Sequence, residues 1–100
     1  MLKMEIALDE KRIVEDGHYD VTKMKSYIDS LMQDLFFDIE DEGVYAGRGT
    51  PQDYAYCLMS INKLKNQEWF MTYVSKWLFI NKGRYEDFVE QYRAKNRIRS

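Results

Sequence analysis

Leu2, Met4, Ile6 and Leu8 alternate with Lys3, Glu5, Ala7 and Asp9, the two-residue period of a strand with one buried face. A polar turn at Asp9 to Lys11 leads to Arg12-Ile13-Val14, which reads as a short return strand or as one helical turn capped by Asp9. The hairpin is the preferred reading, with Asp16-Gly17 marking a further turn. From Asp20, a good N-cap, the period changes. Val21, Met24, Tyr27, Ile28, Leu31, Met32, Leu35, Phe36 and Ile39 recur at spacings of three and four. At about 100° per residue they fill an arc of about 180°, and Phe37 falls outside it, between Ser26 and Ser30, as an exposed aromatic. This helix is expected to end within Asp38 to Gly43, with Val44-Tyr45-Ala46 as a candidate third strand.

The second half opens on Gly47-Arg48-Gly49-Thr50-Pro51. Thr50 as N-cap, Pro51 at the first helical position and Asp53 at the third predict a helix start. Tyr54, Cys57, Leu58, Ile61 and Leu64 make its apolar stripe, with Tyr56 and Met59 pointing elsewhere. Asn66, Gln67 and Glu68 predict a tight joint to another helix over 67–80, with one continuous kinked helix as the alternative; its Trp69, Phe70, Met71, Tyr73, Val74, Trp77, Leu78 and Ile80 cover about 200° of arc, the breadth of a helix covered on two sides. Phe79 falls among Glu68, Thr72 and Lys76, outside that arc, and is either capped by the last helix or exposed. Asn81-Lys82-Gly83 breaks the pattern, and Tyr85, Phe88, Val89 and Tyr92 predict a short closing helix. The expected fold is α+β: an N-terminal β-hairpin, extended to three strands if Val44–Ala46 joins it, packed on a bundle of about four helices. Residues 1–92 read as a single domain and 93–100 as a basic C-terminal tail.

Composition narrows the functional classes. One hundred residues suit one core, and fifteen aromatics can fill it. The net charge of −2 divides into −6 over residues 1–50 and +4 over 51–100, which excludes a uniformly basic nucleic-acid binder. Cys57 is the only cysteine and His18 the only histidine, so neither an intrachain disulfide nor a Cys/His metal site can form. Met1-Leu2-Lys3-Met4 followed by Glu5 is no signal-peptide core, and no apolar run approaches a membrane span. A cytoplasmic protein without cofactors is expected.

Each candidate site has a plainer structural explanation beside it. Gly43, Gly47, Gly49 and Thr50 lack the spacing and the lysine of a phosphate loop. Arg48 and the first amides of the Thr50 helix could hold an anion, although a loop and a cap account for the same residues. His18 between Asp16 and Asp20 has no nucleophile beside it, and Asp34 with Asp38 has no apolar pocket to shift a pKa. No enzyme is predicted. A helix-turn-helix over Thr50 to Asn81 fails because its second helix would present tryptophans and aliphatics to DNA. Phe37, Tyr56, Met59 and Phe79, left off the buried arcs, and the acidic run Glu40, Asp41 and Glu42 are the candidate protein-binding residues. Arg93, Lys95, Arg97 and Arg99 are the alternative, a nucleic-acid-binding tail.

At Ile13-Val14-Glu15-Asp16-Gly17-His18-Tyr19-Asp20, and again at Asn66-Gln67-Glu68-Trp69-Phe70, the chain resembles short uncharacterised proteins of low-GC Gram-positive bacteria, often carried near phage or conjugative elements. The resemblance implies a small accessory protein, for which inhibition of a host-defence system, in the manner of an anti-CRISPR protein, is one role. It assigns no activity to any residue. A non-enzymatic protein-interaction module, binding a host protein or a second copy of itself, is the expected function.

Overall fold

A computed structural model describes residues 2–81 and 83–92 of the chain. In chain order the elements are β1 (Lys3–Leu8), α1 (Glu10–Asp16), α2 (Val21–Asp34), β2 (Asp38–Asp41), β3 (Val44–Ala46), α3 (Asp53–Lys65), α4 (Glu68–Tyr73), β4 (Val74–Asn81) and β5 (Arg84–Asp87). A helical turn at 88–92, α5, follows. The five strands form one antiparallel sheet in the order β2-β3-β1-β4-β5. This corrects the expected architecture. The molecule is α+β, but it is built on a five-stranded sheet and not on an N-terminal hairpin against a four-helix bundle.

β1 is the middle strand because its alternation serves both neighbours. Met4 stands opposite Tyr45 of β3 and Phe79 of β4, and Ile6 opposite Trp77. These side chains share the face that packs on Met24, Ile28, Met32, Leu64 and Phe70 of the helices, all buried. The other face carries Lys3, Glu5 and Lys76 beside half-buried Leu78 and Ile80. Ionic pairs cross it at Lys3–Glu40, 3.1 Å, and Lys76–Glu5, 3.6 Å.

The segment after β1 is a helix and not a return strand. Asp9 accepts a hydrogen bond from the Arg12 amide at 3.2 Å, and Gly17 closes α1 in the left-handed region, φ 68°, its amide donating to the Ile13 carbonyl. α2 starts at the expected cap, where Asp20 accepts from the Lys23 amide at 3.2 Å. It ends earlier than its apolar spacing predicts. The Phe37 amide donates to the Met32 carbonyl and the Phe36 amide to the Gln33 carbonyl, both at 3.0 Å, the paired bonds of a Schellman stop. Phe36 takes the left-handed position of that motif, φ 64°, where glycine is usual. The backbone reversal sends Phe37 inward and Asp38 to Asp41 into an edge strand. The acidic run therefore does not crowd a helix terminus; it charges a sheet edge, where charge discourages pairing with other chains.

Two glycines are required by space. At the β2–β3 turn Gly43 has φ 74°, and a Cβ there would lie 2.3 Å from the Ile6 carbonyl oxygen, which is close because the Ile6 amide donates to Gly43 at 2.8 Å. At Gly47 a Cβ would lie 2.5 Å from the Asp53 carboxylate.

The expected helix over 67–80 is the largest correction. Only Glu68–Tyr73 is helical, and Val74 to Asn81 is the long strand β4. Trp77 is fully buried, as expected, but as a strand residue with Phe70, Phe88 and Tyr92 packed around its ring at 4.9–5.6 Å. The first half of the closing helix is the edge strand β5. No helix among the described residues is long and apolar enough to cross a membrane.

Candidate protein-binding surface

α3 is fixed at its start by one carboxylate. Asp53 accepts from the Gly49 amide at 2.8 Å and from the Thr50 hydroxyl at 2.9 Å. Burial pushes its carboxyl up, but these bonds, with the Arg48 and Thr50 amides, outweigh burial and hold it below the ordinary aspartate value. The helix begins at Asp53, two residues beyond the expected first position, because Pro51 and Gln52 form a turn. The protein's own carboxylate thus occupies the amides that the sequence offers to an external anion. Arg48 is also engaged: its Nε lies 3.3 Å from Asp38, and its guanidinium lies over the Phe36 ring at 5.6 Å.

Once α3 is anchored, its inner side buries Cys57, Ser60, Ile61 and Leu64, with the Ser60 hydroxyl donating to the Cys57 carbonyl at 2.7 Å. Its outer side carries large apolar residues among the exposed Asn62, Lys63 and Lys65. Tyr54, Leu58 and Met59, together with Phe36 beside the helix, are 46% to 58% exposed. With about 100° between successive residues, Tyr54 and Leu58 share one flank and Met59 the other. The small Ala55 lies between them. The half-buried Tyr56 ties Phe36 to the helix with ring centroids 5.0 Å apart. Below Tyr54 and Leu58 a groove of about 120 Å³ opens toward Phe79, Phe88 and Tyr92. Cys57 lines this groove, and burial, reinforced by the Glu86 carboxylate, pushes its thiol up to about 12. It is a packing residue and not a reactive thiol.

The structure separates the predicted protein-binding residues. Tyr56 and Met59 lie on α3 as described. Phe37, expected on the surface, is only 2% exposed, and Phe79, read as either capped by the closing helix or exposed, is 8% exposed and packs on Phe88 at 6.1 Å, which corrects the assignment of both to a binding surface. Phe37 turns inward after the Schellman stop, and Phe79 alternates with Leu78 and Ile80 on a strand, on the same face as Trp77. Glu40, Asp41 and Glu42 are exposed at the β2–β3 turn, but Glu40 pairs with Lys3 and Glu42 with Lys25. Arg93, Lys95, Arg97 and Arg99 lie outside the described residues. Sequence reasoning missed Phe36, Tyr54 and Leu58 by assigning all three to buried arcs. The adjacent Phe36-Phe37 and Leu58-Met59 pairs held the signal, since two large apolar neighbours cannot both face the same narrow stripe.

A second concavity lies between the sheet and α2. It encloses about 330 Å³ and is lined by Glu10, Lys25, Asp29, Glu42 and Tyr45 over an apolar floor of Ile6 and Ile28. Lys25 bridges Glu42 and Glu10, the latter at 3.0 Å, and both bonds hold its ammonium above the ordinary lysine value. The Tyr45 hydroxyl donates to Asp29 at 2.5 Å, and burial with this bond pushes the phenol far up. Lys25 is thus a fixed cation and Tyr45 a fixed donor, so neither is poised as a base or nucleophile near neutral pH. Among the described residues no group of three or more His, Cys, Asp or Glu side chains is placed to hold a metal ion.

No family model and no curated protein matches this chain. Its functional reading rests on these surfaces.

Proposed function

We propose that this chain is a protein-interaction module without catalytic chemistry of its own, and that the outer face of α3 with Phe36 is its contact surface. The supporting observation is that Phe36, Tyr54, Leu58 and Met59, each about half exposed, sit together on and beside α3, with Tyr56 linking Phe36 to the helix. Aromatic residues and methionine are the types enriched at the centres of protein interfaces. Half-exposed side chains of this size present on the order of 300–400 Å², within the range of the largest apolar patch on a monomer, which is often functional. A standard interface takes about 800 Å² from each partner, so the patch is the centre of a contact that extends over its surroundings.

The test is a double variant, Leu58→Asp with Met59→Asp, compared with wild type in sedimentation for self-association and in affinity capture for other partners. Both side chains are half in solvent, so the thermal midpoint should stay within about 5 °C while association is lost. Association unchanged in a folded double variant would reject this surface. The narrower role, an accessory protein of a phage or mobile element acting on a host protein, is proposed from the sequence resemblance alone. It is tested by the identity of the captured protein.

A further inference from the structure

Away from α3, the connection between α1 and α2 and the start of α4 bring three aromatic side chains to one open groove. Gly17 ends α1 and Asp20 caps α2, so Tyr19 is held in a bend between two helices. Tyr27 follows Asp20 by seven residues, which puts both on one face of α2. Trp69 comes from the first turn of α4 and meets Tyr27 edge to face, with centroids 5.4 Å apart and planes at 84°. The two rings therefore form adjoining walls of a corner. Tyr19, Tyr27, Trp69 and Asp20 line the groove, which holds about 440 Å³, and buried Met24 lies at its base.

The walls are fixed in place. The Gln67 side-chain Nε2 donates to the Tyr27 hydroxyl at 3.1 Å, and Tyr19 rests edge to face on Tyr73 at 5.9 Å. The Tyr73 hydroxyl is itself bonded to Asp16 at 2.8 Å. Yet Tyr19 and Tyr27 remain almost half exposed. Three aromatic rings therefore line open space together with the Asp20 carboxylate, one oxygen of which accepts the Lys23 amide. That combination favours a cation whose surface is apolar. A primary ammonium has three N–H donors to satisfy and meets a single, already partly engaged carboxylate, whereas a methylated ammonium needs only aromatic surface and one nearby negative charge.

We infer that the groove lined by Tyr19, Tyr27, Trp69 and Asp20 is a binding site for a methylated or quaternary ammonium group. Lys23 and His18 also line it. Lys23 is exposed on the rim and opposes a cation, so a ligand of this class gains most from the ring faces and least from net charge.

The full chain should be titrated with choline and with its uncharged isostere 3,3-dimethylbutan-1-ol at constant ionic strength, following backbone amide shifts and tryptophan fluorescence. Choline is expected to shift the amides of Tyr19, Tyr27 and Trp69 and to bind about two- to fivefold more tightly than the neutral isostere, the scale of a cation on partly exposed rings. Tyr27→Leu and Trp69→Leu should each remove that preference, and Trp69→Phe should keep part of it. Asp20→Asn, which retains the helix cap, should weaken choline and leave the isostere unchanged. If Trp69→Leu does not fold, Tyr27→Leu and Asp20→Asn decide the question alone. Equal affinity for the two compounds, shifts confined to another surface, or no shift at high millimolar choline would overturn the site.

Discussion

Phe36 and Phe37 are chemically identical neighbours with opposite fates. Phe36 accepts the left-handed backbone, φ 64°, and remains half in solvent, while Phe37 is sealed in the core. Their truncations should therefore separate. Phe37→Ala is expected to cost about 3–5 kcal/mol as a core deletion. Phe36→Gly relieves about 1–2 kcal/mol of left-handed strain against the loss of a half-buried ring, so its net effect should stay within about 1 kcal/mol. Urea unfolding of the two variants checks the order, and equal losses would refute it. Asp53 gives a second contrast at this scale. Its folded carboxyl lies below the ordinary aspartate value, so its contribution is complete above about pH 4 and is lost as the pH falls through the lower folded value. Asp53→Asn should thus cost about 1.5–3 kcal/mol near neutral pH, the worth of hydrogen bonds to a charged group. The gap to wild type should close in strong acid. A pH series of thermal midpoints reads this directly, and a constant gap down to pH 2 would contradict it.

At the scale of elements, the two ends of the chain differed in how openly they declared themselves. β1 was legible because its two-residue period is undisturbed, and the start of α2 because Asp20 is a strong cap. β4 was not. In Val74 to Asn81 the solvent-side positions Leu78 and Ile80 are also apolar, since they lie on a half-covered sheet face, so the alternation blurs into a run that a helical wheel can absorb. The β-branched and aromatic richness of Thr72 to Ile80 was the available counter-signal. The end of α2 was hidden for another reason: a helix stop normally shows as glycine, and here phenylalanine takes the left-handed residue's place. On the candidate surface, Tyr56 and Met59 were visible as residues off the stripe, whereas Leu58 was not, because the groove beneath it depends on Phe79 and Phe88 arriving from a distant strand and turn. Trp77 tests the strand assignment. Trp77→Ala should cost about 3–5 kcal/mol. Trp77→Phe should cost clearly less, because the indole Nε1 has no hydrogen-bond partner among the described residues and phenylalanine removes an unsatisfied buried donor. Equal losses for Trp77→Phe and Trp77→Ala would contradict this.

For the molecule as a whole, the sheet order is what joins the acidic half of the sequence to the basic half. β1 is hydrogen-bonded on both sides, whereas β2 and β5 are edges. Proline should therefore be tolerated very differently across the sheet. Ile6→Pro removes the amide that donates to Gly43 at 2.8 Å and should abolish cooperative unfolding, while Tyr85→Pro on the β5 edge should leave a folded, less stable protein. Circular dichroism during thermal melting distinguishes them, and a folded Ile6→Pro protein would mean that the sheet does not depend on its middle strand.

The pairing of Met4 with Phe79 also sets an order of events during synthesis. At about 5–20 residues per second, β1 leaves the ribosome roughly 4–15 s before β4 does. Throughout that interval β3 can protect one edge of β1 at most, and the other stays open to any extended segment nearby. The nascent chain is therefore most vulnerable to mispairing and to capture by chaperones while its second half is still being made, and a stalled chain lacking β4 should be the aggregating species.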